Sequence, residues 1–139
     1  MAAASNYLEG KIIDNVLRGV SYTPPTAVFV SLHTATPNDT GAAEVTTAAF
    51  PAYARKDAAN GGAVASGWTP QSGGSSKNAN QLIYAVHDGA SAITVTHFGL
   101  WDAATGGNFL IGAALSSSRT LNPGDVFVID AQKLTVTVL

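Results

Sequence analysis

The chain has 139 residues, enough to bury one core, and no linker or composition shift divides it, so residues 1–139 read as a single domain. Charged residues make up 12%, against about 25% in an average protein, and the net charge is −2 at a pI near 5.8. The 7 Lys and Arg are scattered, which excludes the basic field a nucleic-acid partner needs, and the lack of Cys excludes disulfides, thiolate nucleophiles and zinc–cysteine sites.

An apolar fraction of 46% that owes much to Ala, with 14 Gly and many Ser and Thr, implies a surface of small, weakly polar groups. Such a surface repels other copies little and suits a protein packed against neighbours. The start, MAAASNYLEGKIID, lacks the basic and then apolar order of a secretory signal, and no stretch approaches the roughly 18 apolar residues that span a bilayer. The expectation is a soluble protein made in the cell, unprocessed, with no membrane partner.

Residues 6–18 read as the one helix, with Leu8, Ile12, Ile13, Val16 and Leu17 on one side and Glu9, Lys11, Asp14, Asn15 and Arg18 on the rest. Asn6 is the predicted cap, Glu9 closes a capping box, and Gly19 stands at the C′ position. Gly10 costs about 1 kcal/mol against Ala, and its missing side chain permits close approach of another backbone. The apolar stripe is expected to cover one end of the chain's own sheets, with docking into a partner as the alternative.

Pro24-Pro25 ends the helical region, and residues 27–139 read as β structure. Residues 27–34 are a strand, 36–47 an exposed loop that could end in a short strand, and 52–57, 62–68 and 81–86 weaker strands. Between the last two, PQSGGSSKNAN at 70–80 reads as a loop that is mobile or ordered only by a neighbour. Residues 93–115 form a hairpin around a Gly-rich turn at 102–108, with Thr94, Thr96, Phe98 and Leu100 on one face and Ile93, Val95, His97 and Trp101 on the other. Both faces carry apolar groups, the mark of a strand covered on two sides. Ser116–Ser118 reads as a polar turn, Asn122-Pro123-Gly124-Asp125 as a second turn, and 126–129 and 133–139 as closing strands. About eight short strands behind one helix favour a mainly β fold, an antiparallel β-sandwich of jelly-roll type with one N-terminal amphipathic helix.

No catalytic constellation emerges. His33, His87 and His97 lack partners at metal-ligand spacing and read as hydrogen-bonded structural residues; His87-Asp88 point to opposite faces if they lie on a strand, and a bend at the strand's end could still bring them together. The glycine pairs at 61–62 and 73–74 lack the Lys-Ser or Lys-Thr pair that grips phosphate, and the scattered carboxylates fall mostly at turns. No cofactor or metal is expected. Trp68, Trp101 and the tyrosines could build a sugar-stacking platform, but aromatics so dispersed belong more often to cores and interfaces.

Four segments, SNYLEGKIIDNVLRG, SYTPPTAVFVSLHTATP, AYARKDA and THFGLWDAATGGNFLIGAAL, occur in the order found in a family of small structural proteins of tailed bacteriophages, which this chain resembles from Ser5 to Leu139. The resemblance implies a non-enzymatic virion component, with no catalytic residues to carry over. Joined to the weakly charged surface, it leads to the expectation of a capsid decoration or cement protein: a homotrimer bound to the major capsid protein and stabilising the head shell. A tail or fibre-base component is the alternative, and a host-glycan-binding module a third reading. The candidate contacts are Leu8, Ile12 and Val16 on the helix, Thr36, Asn38 and Asp39 in the first loop, and Ser75 and Lys77 in the second.

Overall fold

Strand gives way to helix at Ser5, a buried residue that serves both. In the structure, a computed structural model that describes residues 2–138, the Ser5 amide donates to the Leu110 carbonyl at 2.8 Å as the last rung of strand pairing. Its hydroxyl donates to the Phe109 carbonyl at 2.6 Å and accepts the Leu8 amide at 3.3 Å, which caps the helix. Strand β1 (Ala3–Ala4) and helix α1 (Asn6–Arg18) are thus fastened to the same neighbour. The cap is Ser5 and not the predicted Asn6, so Glu9 falls one place too late for a capping box. Position 5 wins because its hydroxyl also satisfies a buried strand carbonyl. The helix ends as expected at Gly19, whose left-handed φ of 66° needs no side chain.

Eight further strands follow: β2 (Phe29–His33), β3 (Lys56–Asp57), β4 (Ser75–Lys77), β5 (Leu82–Val86), β6 (Ile93–Trp101), β7 (Phe109–Leu121), β8 (Val126–Ile129) and β9 (Thr135–Thr137). They form an open five-stranded sheet in the order β1-β7-β6-β2-β3 and two ribbons, β4-β9 and β5-β8, with every pairing antiparallel. Sheet and ribbons share one core, in which Val30, Leu32, Val95, Phe98 and Leu100 meet Leu82, Tyr84, Phe127, Ile129, Leu134 and Val136. The Tyr84 hydroxyl crosses that core to donate to the Val30 carbonyl at 2.9 Å.

The β6–β7 hairpin is the longest element and departs from simple alternation. Val95 pairs with Arg119 but His97 pairs with Ala114, so residues 115–118 bulge out opposite Thr96. Ile93 and Val95 enter the core before this point, and Phe98 and Leu100 after it, which breaks the two-face division expected from period two. Ser116–Ser118, read as a turn, belong to this bulge inside β7. Beyond the bulge both faces are covered, and a Cβ on Gly99 would come within 2.7 Å of His33, Phe109 and Ser31.

Three other expectations change. Residues 62–68 contain a 3₁₀ turn, Val64–Gly67, in place of a strand. The 70–80 segment is held by its own chain: β4 pairs with β9, and the buried Asn78 side chain donates to the Asn80 and Asp130 carbonyls at 2.8 and 2.9 Å and accepts the Leu134 amide at 2.8 Å. A buried amide with all these partners orders a loop that its composition describes as loose. The 52–57 strand shrinks to β3, and the 36–47 loop stays largely exposed around a 3₁₀ turn at Asn38–Thr40. Leu139 lies outside the described residues.

Ser5→Ala removes one buried strand contact and the helix cap together, and a loss of about 1–3 kcal/mol is expected. Chemical denaturation measures the loss, and faster amide exchange confined to the first turn of α1 identifies its origin.

Candidate assembly surface

Trp101 ends β6 under a polar lid. The Arg55 guanidinium lies 3.6 Å from the Trp101 ring centroid and grips Glu44 through two hydrogen bonds, Nε to Oε1 at 2.9 Å and Nη2 to Oε2 at 2.8 Å. Its remaining nitrogen donates to the Ala103 and Gly106 carbonyls at 3.0 and 2.8 Å, so one side chain ties the first loop to the β6–β7 turn. Tyr53 joins them, donating to Glu44 Oε1 at 2.9 Å and accepting the Leu32 amide at 3.0 Å. Burial and the Glu44 charge hold the Tyr53 phenol protonated, its pKa raised well above the ordinary value.

Beneath the indole, Trp101 Nε1 donates to Ser31 Oγ at 3.0 Å, and Ser31 Oγ lies 2.7 Å from His33 Nε2. His33 Nδ1 is 2.7 Å from the Ala42 carbonyl, which can only accept. The proton is therefore assigned to Nδ1, and Nε2 receives the Ser31 hydroxyl. Burial lowers the His33 pKa, reinforced by the Arg55 and His97 charges and opposed by the Ala42 carbonyl and Glu44. Every polar group of this cluster is committed to another part of the chain. Its chemistry is that of a clasp, and with Arg55 over its face Trp101 presents no open platform for a sugar ring.

The other histidines are occupied as well. His87 donates through Nε2 to the Ser91 carbonyl at 2.8 Å and accepts the Gly89 amide on Nδ1, while Asp88 turns away to accept the Ala52 amide at 2.9 Å. His97, half-buried, meets the Thr96 hydroxyl at 2.7 Å.

The predicted contact residues fall into separate places. Leu8 is half-buried against the core, whereas Ile12 is 43% and Val16 73% exposed. Thr36, Asn38 and Asp39 are exposed and rim an open recess of about 400 Å³ that also takes in Ala3 and His97, close to where α1 begins. Ser75 and Lys77 lie in the β4-β9 ribbon, with Ser75 engaged by the Thr137 hydroxyl at 2.7 Å and Lys77 exposed. The helix and the first loop are thus near each other, and the second loop belongs to a different sheet.

The expected packing of the helix stripe on the chain's own sheets is overturned. No residue of α1 is buried; Tyr7 and Leu8 in the first turn reach the core, and Ile13, Val16, Leu17 and Val20 stay exposed. A second apolar patch, absent from the predicted contacts, covers the outer side of the β5-β8 ribbon: Ile83, Val86 and Val126. It was hidden in sequence because outward Val and Ile are indistinguishable from inward ones until pairing is known.

A family model described as Podophage GP4 fiber I protein gp80 matches residues 3–137. The chain belongs to that family. It is a family of phage virion structural proteins, and the match takes in the helix, the Pro24-Pro25 boundary and the HFGLWDAATGGN turn on which the resemblance was drawn. No curated protein matches the chain. Among the described residues no helix is long and apolar enough to cross a membrane.

Arg55→Lys keeps the charge but loses the fork and the stacking, and is expected to destabilise the protein by about 1–3 kcal/mol with a change in Trp emission, read by denaturant unfolding. The His33 effect has a definite sign. Because folding lowers its pKa from 6.5, the unfolded chain takes up the proton first, and stability falls as pH drops below that value. Unfolding free energies measured between about pH 7.5 and 5.5 should decline by at most about 1.4 kcal/mol per pH unit from this group, and His33→Gln should flatten the profile.

Proposed function

We propose that this chain is a non-enzymatic structural subunit of a phage fibre, which works by packing against copies of itself and against other virion proteins. One observation carries the reading: a well-capped helix stands off the body by its first turn and leaves its apolar face open. A monomer gains nothing from that arrangement, because an exposed apolar stripe forfeits the burial that would stabilise it and invites association. The ribbon patch at Ile83, Val86 and Val126 offers a second contact on the same terms. The low charge supports this, since neighbouring copies meet with little repulsion.

The family's description speaks of a fibre, and this favours the fibre alternative over decoration of the head. In either setting the homotrimeric state expected from sequence is a means of repeating modest contacts by symmetry. The clasp around Arg55 keeps the body rigid under such loads, because it closes the long hairpin onto the loops beside it.

Gold-labelling or side-chain-resolution imaging of intact particles, with protein copy number from quantitative mass spectrometry, tests the assignment. Label on fibres at a low copy number is the expected result. Label spread over the head at a copy number near that of the major capsid protein would overturn the fibre reading and restore the decoration one.

A further inference from the structure

Four observations on α1 converge. First, the stripe is open: Ile12 is 43%, Ile13 55%, Val16 73% and Leu17 76% exposed, and Val20, just past the C-terminal glycine, 46%. Together these side chains leave on the order of 500 Å² of apolar surface uncovered, at the upper end of what monomers carry in one patch. Second, the helix has 13 residues, a length that is marginal in water unless a face is packed, and its packing on the body ends with Tyr7 and Leu8.

Third, Gly10 has no reason within the chain. Its φ is outside the left-handed region, a Cβ there would meet nothing within 4 Å, and Ala in its place would favour the helix by about 1 kcal/mol. On the helical wheel Gly10 borders Ile13 and Leu17, so the gap lies beside the apolar stripe. A missing side chain in that position opens a hole for a knob from another helix. Fourth, the helix carries Glu9 and Asp14 against Lys11 and Arg18, so its formal side-chain charge cancels and the same surface can meet itself without net repulsion.

We infer that α1 is the self-association element of the protein: the helices of neighbouring copies pack through Ile12, Ile13, Val16 and Leu17, with Gly10 receiving a side chain of the facing helix. This rests on the fibre reading only for the choice of a second copy as the partner. Two stripes meeting would remove at most about 1,000 Å² from water, the lower bound for a specific interface. An apolar area of this size on a helix whose formal side-chain charge cancels fits a second helix of the same kind.

The test uses the full chain in solution. Sedimentation or light scattering at micromolar concentration is expected to show an oligomer for the wild type and a monomer for Val16→Glu and Leu17→Glu. The β-sheet circular dichroism and unfolding midpoint of the body should be retained, since neither side chain reaches the core. Because the chain lacks Cys, Val16→Cys gives a unique thiol. Under oxidation it should form a covalent dimer in high yield, whereas Asn15→Cys on the polar side should not. A monomeric wild type, or an oligomer that survives both Glu substitutions without Val16→Cys cross-linking, would overturn the inference. Either outcome would leave the fibre assignment to be judged on particle imaging alone.

Discussion

The long hairpin of this protein depends on one cation. Arg55 lies flat on Trp101, holds Glu44 by both carboxylate oxygens and reaches two carbonyls of the β6–β7 turn. Without it the turn at 102–108 would be a Gly-rich loop with no anchor except its own Asp102. With its side chain 9% exposed and that of Glu44 20%, the pair is shielded enough to hold geometry yet wet enough to escape the full desolvation cost of a buried ion pair. The planar fork matters more than the charge, since only a guanidinium can stack and bond in-plane at once.

That clasp is coupled to the interior through the indole. Trp101 passes the constraint to Ser31, Ser31 to His33, and His33 to the Ala42 carbonyl, so the first loop, β2 and β6 are locked in one arrangement. Gly41 and Gly99 are the steric counterpart: a Cβ on Gly41 would strike the Trp101 ring, and one on Gly99 the histidine beneath it. A polar network this well satisfied gives rigidity and a single packing, at the price of leaving no free group for chemistry. Rigidity in the body and an uncovered helix at its edge are complementary properties in a particle subunit.

Much of this was legible in the chain. The helix and its C-terminal glycine, the boundary at Pro24-Pro25, β2, the hairpin turn and β8 all carry local signals, because capping, proline and turn chemistry act within a few residues. The family resemblance rested on such local segments, and the family match spans them. The cap at Ser5 was one residue off, because its decisive bond is to Phe109, far away in sequence. Residues 70–80 were read as loose for the same reason: composition describes a segment's own preferences, whereas Asn78 and the β4–β9 pairing supply order from elsewhere in the chain. Of the candidate contacts, Ile12 and Val16 mark the open stripe, while Leu8 belongs to the anchor.

By itself the sequence determined that the protein is mainly β behind one amphipathic helix, that it is weakly charged, and that no ordinary catalytic pattern runs through it. These follow from periodicity, composition and short-range backbone chemistry. Tertiary structure alone decided three things: the partition of strands into a five-stranded sheet and two ribbons, the bulge that reverses which residues of β6 face inward, and the direction in which the helix stripe points. Each depends on which distant segments pair. A stripe of Ile, Val and Leu states that a helix seeks cover, but only the position of the rest of the chain shows that its own body does not provide it.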